Sequence, residues 1–310
     1  VADLLVTGAA GFIGSALARA LLAQGHTVAT IDNLTTGRRV NVPAACDFIE
    51  GDVADPASTR ALGGRRFDAI FHLAGQSGGI RSFRDPFYDL AANVTSTLRV
   101  LEYAREVGTP SVVYASSMSV YGDPHVLPVR ESDPVEPKSP YGVGKLASEH
   151  YLRLYAEDGP AGTALRLNNV YGAGQDLLDF DQGMASIFLG QAIADRRIVV
   201  KGPRDRFRDF VHVSDVVEAF IRAWSIPGAD RFRIYNVATG RKTHVSELLD
   251  LIRGALPFDV AVEFAGETPG DQFGIFSSFD RIKDELGWIP KFSVEDGIKG
   301  MVDWATSRSP

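Results

Sequence analysis

Short apolar runs alternate with amphipathic stretches through the first half of the chain. DLLVTG (3–8), HTVATID (26–32), CDFIEGD (46–52), FDAIFHLAG (67–75), SVVYASS (111–117) and GTALRL (162–167) are short and largely apolar. Such runs predict strands buried on both faces of a sheet. Between them, FIGSALARALLAQG (12–25) carries apolar residues at helical spacing and stops at Gly25, and further helices are predicted around 89–108 and 142–158. Strand and helix in alternation imply parallel strands joined by right-handed crossovers, an α/β doubly wound sheet. From about residue 170 the rhythm breaks into polar loops, GAGQDLLDFDQG, KGPRDRFRDF and ETPGDQFGIF. A helical stretch (214–226) and the strand RIYNVA (233–238) return to the first unit. The expected division is 1–169 plus about 213–243 as a nucleotide-binding domain, and about 170–212 plus 244–310 as a smaller C-terminal lobe.

The 310 residues suffice for a sizeable core, and 45% apolar with 23% charged residues is ordinary globular composition. The net charge of −7 argues against nucleic acid or an anionic membrane as the main partner. A small anion is still allowed, since a local cluster of arginines can hold one. Cys46 is the one cysteine, so no internal disulfide forms, which fits a reducing compartment. The chain begins on an apolar strand without a basic leader, and no apolar run approaches a membrane span of roughly 18 residues. The expectation is a cytoplasmic protein. The six histidines show no metal-ligand spacing, and no metal is expected.

TGAAGFIG sets Gly8, Gly11 and Gly14 at a strand-to-helix turn, with Phe12 and Ile13 opening the helix. Glycine lets the backbone approach a pyrophosphate, and the helix N-terminus offers N–H groups and a favourable dipole. Asp32, followed by Asn33, ends the second strand, where an acid accepts from a ribose diol and repels a 2′-phosphate. The reading is NAD; Arg38 and Arg39 keep NADP as an alternative. Asp52 and Val53, after the third strand, would meet the adenine, or Asp52 is a turn residue.

Tyr141 and Lys145 are four apart and share a helix face. A phenol near pKa 10 is no base at neutral pH, but a nearby ammonium and a nicotinamide cation favour the phenolate. Such a phenolate takes a proton from a sugar hydroxyl as hydride leaves the carbon. Ser117, at a strand end, is placed to hydrogen-bond the same oxygen.

Gly8, Gly11, Gly14, Asp32, Ser117, Tyr141 and Lys145 together resemble the extended short-chain dehydrogenase/reductase superfamily. HLAG, NVTSTLRVLEYAR, SVYG, LRLNNVYGAGQ, RDFVHVSD and LGWIP are similar to stretches of its nucleotide-sugar epimerase and dehydratase branch. The resemblance implies a Rossmann-type sheet, tightly held NAD and a nucleoside-diphosphate sugar, UDP-linked as in the 4-epimerases of this branch. It adds Leu73, Ala74, Gly75, Asn93 and Ser116 to the NAD contacts. Asn169 and Arg208 match residues that contact the substrate diphosphate, and Asp271 belongs to the PGD stretch of the same site. A homodimer is implied through the two helices, with Leu90, Val94, Leu98, Leu101, Leu146, His150, Leu152 and Tyr155 as the apolar faces.

Related 4,6-dehydratases carry Thr-Asp-Glu where this chain has Ser117, Met118 and Ser119, and the decarboxylases carry a glutamate at the place of Ser119. A thioether moves no proton and a serine hydroxyl is a poor acid. Oxidation and re-reduction at one carbon remain, the work of a UDP-hexose 4-epimerase acting through a 4-keto sugar. The alternatives are a nucleotide-sugar 4-reductase or dehydrogenase, or a glucuronate-type 4-epimerase, for which Arg81 in GQSGGIRSF would meet the carboxylate. Thr268 departs from the arginine usual before PGD, with Lys201, Arg204, Arg206 or Arg208 as substitutes. Asn168 replaces the usual aromatic. Ile275 stands where 4-epimerases line the pocket at the sugar's 2-substituent, and is expected to leave room for an acetamide. The acids of DLLDFD read as a solvated loop.

Overall fold

The computed structural model describes residues 1–266 and 273–307. The first part runs β1 (Asp3–Thr7), α1 (Phe12–Ala23), β2 (Thr27–Asp32), β3 (Asp47–Glu50), α2 (Pro56–Arg60), β4 (Ala69–His72), α3 (Gly79–Arg84), α4 (Pro86–Leu90), α5 (Ser96–Val107), β5 (Ser111–Ser117), α6 (Pro140–Tyr155) and β6 (Ala161–Leu167). It continues with β7 (Asn169–Tyr171), α7 (Met184–Asp195), β8 (Arg197–Val200), β9 (Phe207–Arg208), β10 (Phe210–His212), α8 (Val213–Ser225) and β11 (Phe232–Val237). The remainder is β12 (Thr243–His244), α9 (Val245–Ala255), β13 (Ala261–Phe264), α10 (Asp280–Leu286) and α11 (Val294–Thr306).

Seven parallel strands form the central sheet in the order β11-β6-β5-β4-β1-β2-β3. The chain therefore winds one way from β1 and the other way from β4, the Rossmann arrangement, and a crevice opens where the loops after β1 and β4 part. Register aims the loops at that crevice. Thr7 lies opposite Ile31 on one side and His72 on the other, so Gly8, Asp32 and Leu73 leave the sheet side by side.

Alternation within the strands feeds two cores. Leu4 and Val6 of β1 pack with Leu17, Phe71 and Phe220 on one face, while Leu5 packs with Ile70, Leu101, Val112 and Leu152 on the other. A separate cluster of Phe188, Leu189, Ile198, Phe210, Leu248, Ile252, Ile298 and Met301 lies outside the sheet and holds the later helices together.

The single helix predicted over 89–108 is broken by a π turn at Ala91–Thr95 between α4 and α5. The widened turn frees carbonyls, and hydroxyls take them: Ser96 donates to Ala92 O at 2.5 Å and Thr97 to Asn93 O at 2.6 Å. Ser148 of α6 reaches the same Asn93 carbonyl at 3.0 Å. Hydrophobic spacing carries no trace of such a bulge. The start of α6 is set locally: Ser139 Oγ accepts from Gly142 N at 3.1 Å and Pro140 opens the first turn, which places Tyr141 at the crevice.

Candidate active site

A cavity of about 1290 Å³ runs along the ends of the strands and is shared by the sheet and the smaller unit. Gly8, Gly11, Phe12, Ile13, Gly14, Asp32 and Asn33 line one stretch of it. Gly8 has φ +76 and packs under Ala74, while a Cβ at Gly14 would run into the Gly8 carbonyl. The turn thus brings the start of α1 against the strand with no side chain in between. Gly11 caps α1 without a side-chain hydrogen bond, and no acid stands in the first turn. Such an end accepts an anion. Asp32 is held by Ala10 N at 2.9 Å and Leu34 N at 2.8 Å, one bond to each carboxylate oxygen, with its edge to the cavity. Asn33 donates to Asp52 at 3.0 Å, and Val53, Leu73, Ala74 and Gly75 complete this wall. The residues present fit NAD. Arg38 is engaged with Asp176 and Arg39 lies over the Phe48 ring, so neither waits for a 2′-phosphate.

Ser117, Tyr141 and Lys145 line the same cavity. Ser117 Oγ accepts from Ser119 N at 3.2 Å and lies close enough to the Tyr141 phenol to favour its charged form. Lys145 Nζ donates to Ala115 O at 2.9 Å and stands 5.6 Å from the centre of the Tyr141 ring. Burial pushes the Tyr141 phenol up to about 12, helped by the Asp89 charge and opposed by the Ser117 hydroxyl. The ammonium expected to lower this phenol is not among the groups that do so here, and desolvation dominates. Burial also pushes Lys145 down to about 8, against the pull of Asp89 and Glu149. The ammonium is therefore charged at neutral pH and the phenol protonated.

Arg166, Glu149, Gln76 and Asp89, which sequence reasoning did not single out, support this group together with Ser116 and Asn93. Arg166 of β6 grips Glu149 of α6 through Nε at 2.9 Å and Nη2 at 2.7 Å, with 3% of each side chain exposed. Glu149 also accepts from Ser116 at 2.5 Å. Gln76 and Asn93 donate to Asp89 at 2.7 and 3.0 Å, and burial raises that carboxyl. Their signal in the sequence was slight: Arg166 is the lone charge of β6 and Asp89 that of α4, which predicts a buried partner without saying which, while Glu149 is one of several charges on α6.

Across the mouth, 174–183 forms a strap bearing Asp176, Asp179 and Asp181. Arg38 meets Asp176 at 3.1 Å, Arg81 meets Asp179 at 2.8 Å and Asp181 at 3.7 Å, and Arg84 meets Asp181 at 2.8 Å. The DLLDFD acids are thus each paired with an arginine: Arg81 and Arg84 of α3 reach Asp179 and Asp181, and Arg38 reaches Asp176.

A model of the NAD dependent epimerase/dehydratase family matches residues 4–238. The chain belongs to that family. A UDP-glucose 4-epimerase of Mycolicibacterium smegmatis is 38% identical over 98% of this chain and 99% of its own. The structure of a Thermotoga maritima UDP-glucose 4-epimerase with UDP-glucose superposes with TM-score 0.94 at 32% identity, covering 98% of this chain and 99% of that one. A Thermus thermophilus UDP-glucose 4-epimerase complexed with NAD superposes with TM-score 0.92 at 34% identity, covering 99% and 100%.

Within this family member the remaining predicted site residues fall as follows. Asn169 and Arg208 line the cavity, and the buried Asn169 Oδ1 makes no hydrogen bond with the described residues. Arg208 donates to Phe207 O at 2.7 Å. Ser116 lines the cavity and donates its hydroxyl to Glu149. Asn93 is 1% exposed, lies behind Gly75 and is not part of the lining, which corrects its placement among the cofactor contacts. Ile275 is also corrected: it is fully buried against Val120, Tyr121 and Val129 and does not face the cavity. Bridges of Gly274 to Phe207 and of Ser277 to Val129 flank it, and the apolar side chain turns into that small core. Asn168 faces Ser277 at 3.1 Å as well as the cavity. Thr268 and Asp271 lie outside the described residues. His72 is a core histidine between Thr7 (2.8 Å) and Thr97 (3.2 Å), pushed down to about 3 by burial and then by Lys145. Sequence reasoning missed Met184, Ile187, Phe188 and Gln191 of α7, which line the cavity from the smaller unit.

Proposed function

We propose that this chain is an NAD-dependent 4-epimerase of a UDP-linked hexose, acting through a transient 4-keto sugar. One observation carries the reading: Tyr141, beside Ser117 and Lys145, shares a cavity with the dinucleotide cradle, while Met118 and Ser119 stand where an eliminating enzyme needs acids. NAD supplies, when bound, a hydride acceptor and a cationic ring that favours the Tyr141 phenolate. Tyr141 takes the proton of the 4-hydroxyl and gives it back after the sugar has turned. Ser117 hydrogen-bonds the oxygen in both states, so its worth is smaller than that of the base. Lys145 holds positive charge beside the phenol, and the Glu149–Arg166 pair keeps its helix in place. Asp32 would take the ribose diol and the start of α1 the pyrophosphate. Asn169 and Arg208 would meet the substrate diphosphate. The sheet, through residue 169 plus about 213–243, serves NAD, and about 170–212 plus 244–310 serves the sugar nucleotide.

The test is to incubate the purified protein with UDP-glucose without added cofactor and follow UDP-galactose by NMR. Epimerisation without net NADH is expected; net NADH would make it a dehydrogenase.

The remaining parts of the reading are a homodimer and a cytoplasmic location. Leu101 and Leu152, expected on the dimer face, belong to the chain's own core, whereas Phe87, Leu90, Val143 and Leu154 are exposed on α4 and α6. A monomeric mass by light scattering at micromolar concentration would remove the dimer. No helix among the described residues is long and apolar enough to cross a membrane.

A further inference from the structure

We propose that Asp179, through its pair with Arg81 beside the helix of Tyr141, is a specificity determinant that confines the cavity to uncharged sugars and excludes uronates. The inference rests on the sugar-nucleotide reading above and names the class of sugar. Arg81 alone suggests the opposite, since an arginine at the mouth of a sugar site is the natural partner of a carboxylate.

The geometry removes that option. α3, which carries Arg81, packs on α6, the helix of Tyr141 and Lys145. Arg81, Asp179, Asp181, Tyr141 and Met118 all line one cavity. The Arg81 stem lies along Gly78, where an added Cβ would stand 3.5 Å from its Cγ and Cδ. Its guanidinium therefore has a set direction, and Nη2 meets Asp179 Oδ1 at 2.8 Å. The same oxygen accepts from Asp181 N at 3.0 Å, so the carboxylate is oriented by its own loop. Asp181 pairs in turn with Arg84 at 2.8 Å.

Two arginines are thus matched by two aspartates, and the cluster carries no net charge. A neutral sugar meets hydrogen-bonding groups already satisfied as pairs. A uronate carboxylate must displace Asp179 from a pair only 31% and 18% exposed, and then sits beside two like charges. Both effects oppose it. Removing the Asp179 charge leaves Arg81 with Asp181 at 3.7 Å alone, and so turns the mouth toward anions.

The experiment is calorimetric binding of UDP-glucose and UDP-glucuronate to the NAD-loaded protein. The unaltered chain is expected to prefer UDP-glucose. Asp179→Asn is expected to improve UDP-glucuronate binding relative to UDP-glucose by about tenfold, the size of one charge-assisted contact in a partly wet site. Adding Arg81→Gln is expected to cancel the gain. Asp181→Asn acts in the same direction by a smaller factor and provides the reading if Asp179→Asn does not fold. Equal binding of both sugars by the unaltered chain overturns the proposal. So does an unmoved preference in the folded aspartate variants, or a gain that survives Arg81→Gln. Turnover is read separately: a preserved binding preference without epimerisation defeats the epimerase reading and leaves this one standing.

Discussion

Arg166 and Glu149 meet at 2.7 Å with 3% of each side chain exposed, whereas Arg84 and Asp181 meet at 2.8 Å with 65% and 31% exposed. The chemistry and the distance are nearly the same in the floor of the cavity and in the strap across its mouth. Solvent makes the difference. In the floor, both ions have lost their water, and each depends on the other and on Ser116 and Tyr121 for compensation. At the Arg84–Asp181 pair, the more exposed end of the strap, water replaces either partner at little cost and salt screens what remains. A buried pair therefore fixes a helix, and an exposed one sets the charge met by whatever enters.

Four measurements bear on that contrast, from the largest effect to the smallest. Tyr141→Phe removes the acid/base group that the floor presents, and turnover should fall by about 10²–10⁴-fold with substrate binding largely kept. Near-normal epimerisation by that variant would show that the floor presents some other base. Glu149→Ala strands the Arg166 charge, and chemical denaturation should report a loss of about 3–5 kcal/mol. An effect below about 1 kcal/mol would mean that water reaches the floor after all.

The third concerns pH. His72 is held near 3 in the folded chain against 6.5 when unfolded, so its neutral form is favoured by folding. Its contribution is complete above pH 6.5 and is lost as pH falls from there toward 3, by about 1.4 kcal/mol per unit. Urea midpoints measured across that range should drop, and His72→Gln should flatten the slope. Last, Arg84→Ala breaks only an exposed pair. Its cost in stability should stay under about 1 kcal/mol and shrink further in added salt.

Much of the sheet was legible because its strands are apolar runs of the right length punctuated by glycine. DLLVTG followed by GFIG announces a strand, a tight turn and a helix within a dozen residues, and the structure has β1, Gly8 with φ +76 and α1 in those places. The π turn at Ala91–Thr95 was invisible, since Ser96, Thr97 and Ser148 make it by hydroxyl bonds that leave the hydrophobic spacing intact. Ile275 was misplaced for a related reason. A position counted from a motif says where the backbone passes, not which way the side chain turns, and here it turns into the cluster with Val120 and Val129.

The sequence by itself determined the seven strands of the central sheet, the glycine turn, Asp32 at the end of β2 and the Tyr141–Lys145 spacing on one helix face. These are local properties, set by residues within a few positions of one another. Tertiary structure alone decided that Arg166 would find Glu149, that Arg81 would be claimed by Asp179 across 98 residues, and that desolvation would hold the Tyr141 phenol up to about 12. Each depends on which distant groups share a dry or a wet place, and a charge's partner and the water around it exist only once the chain has folded.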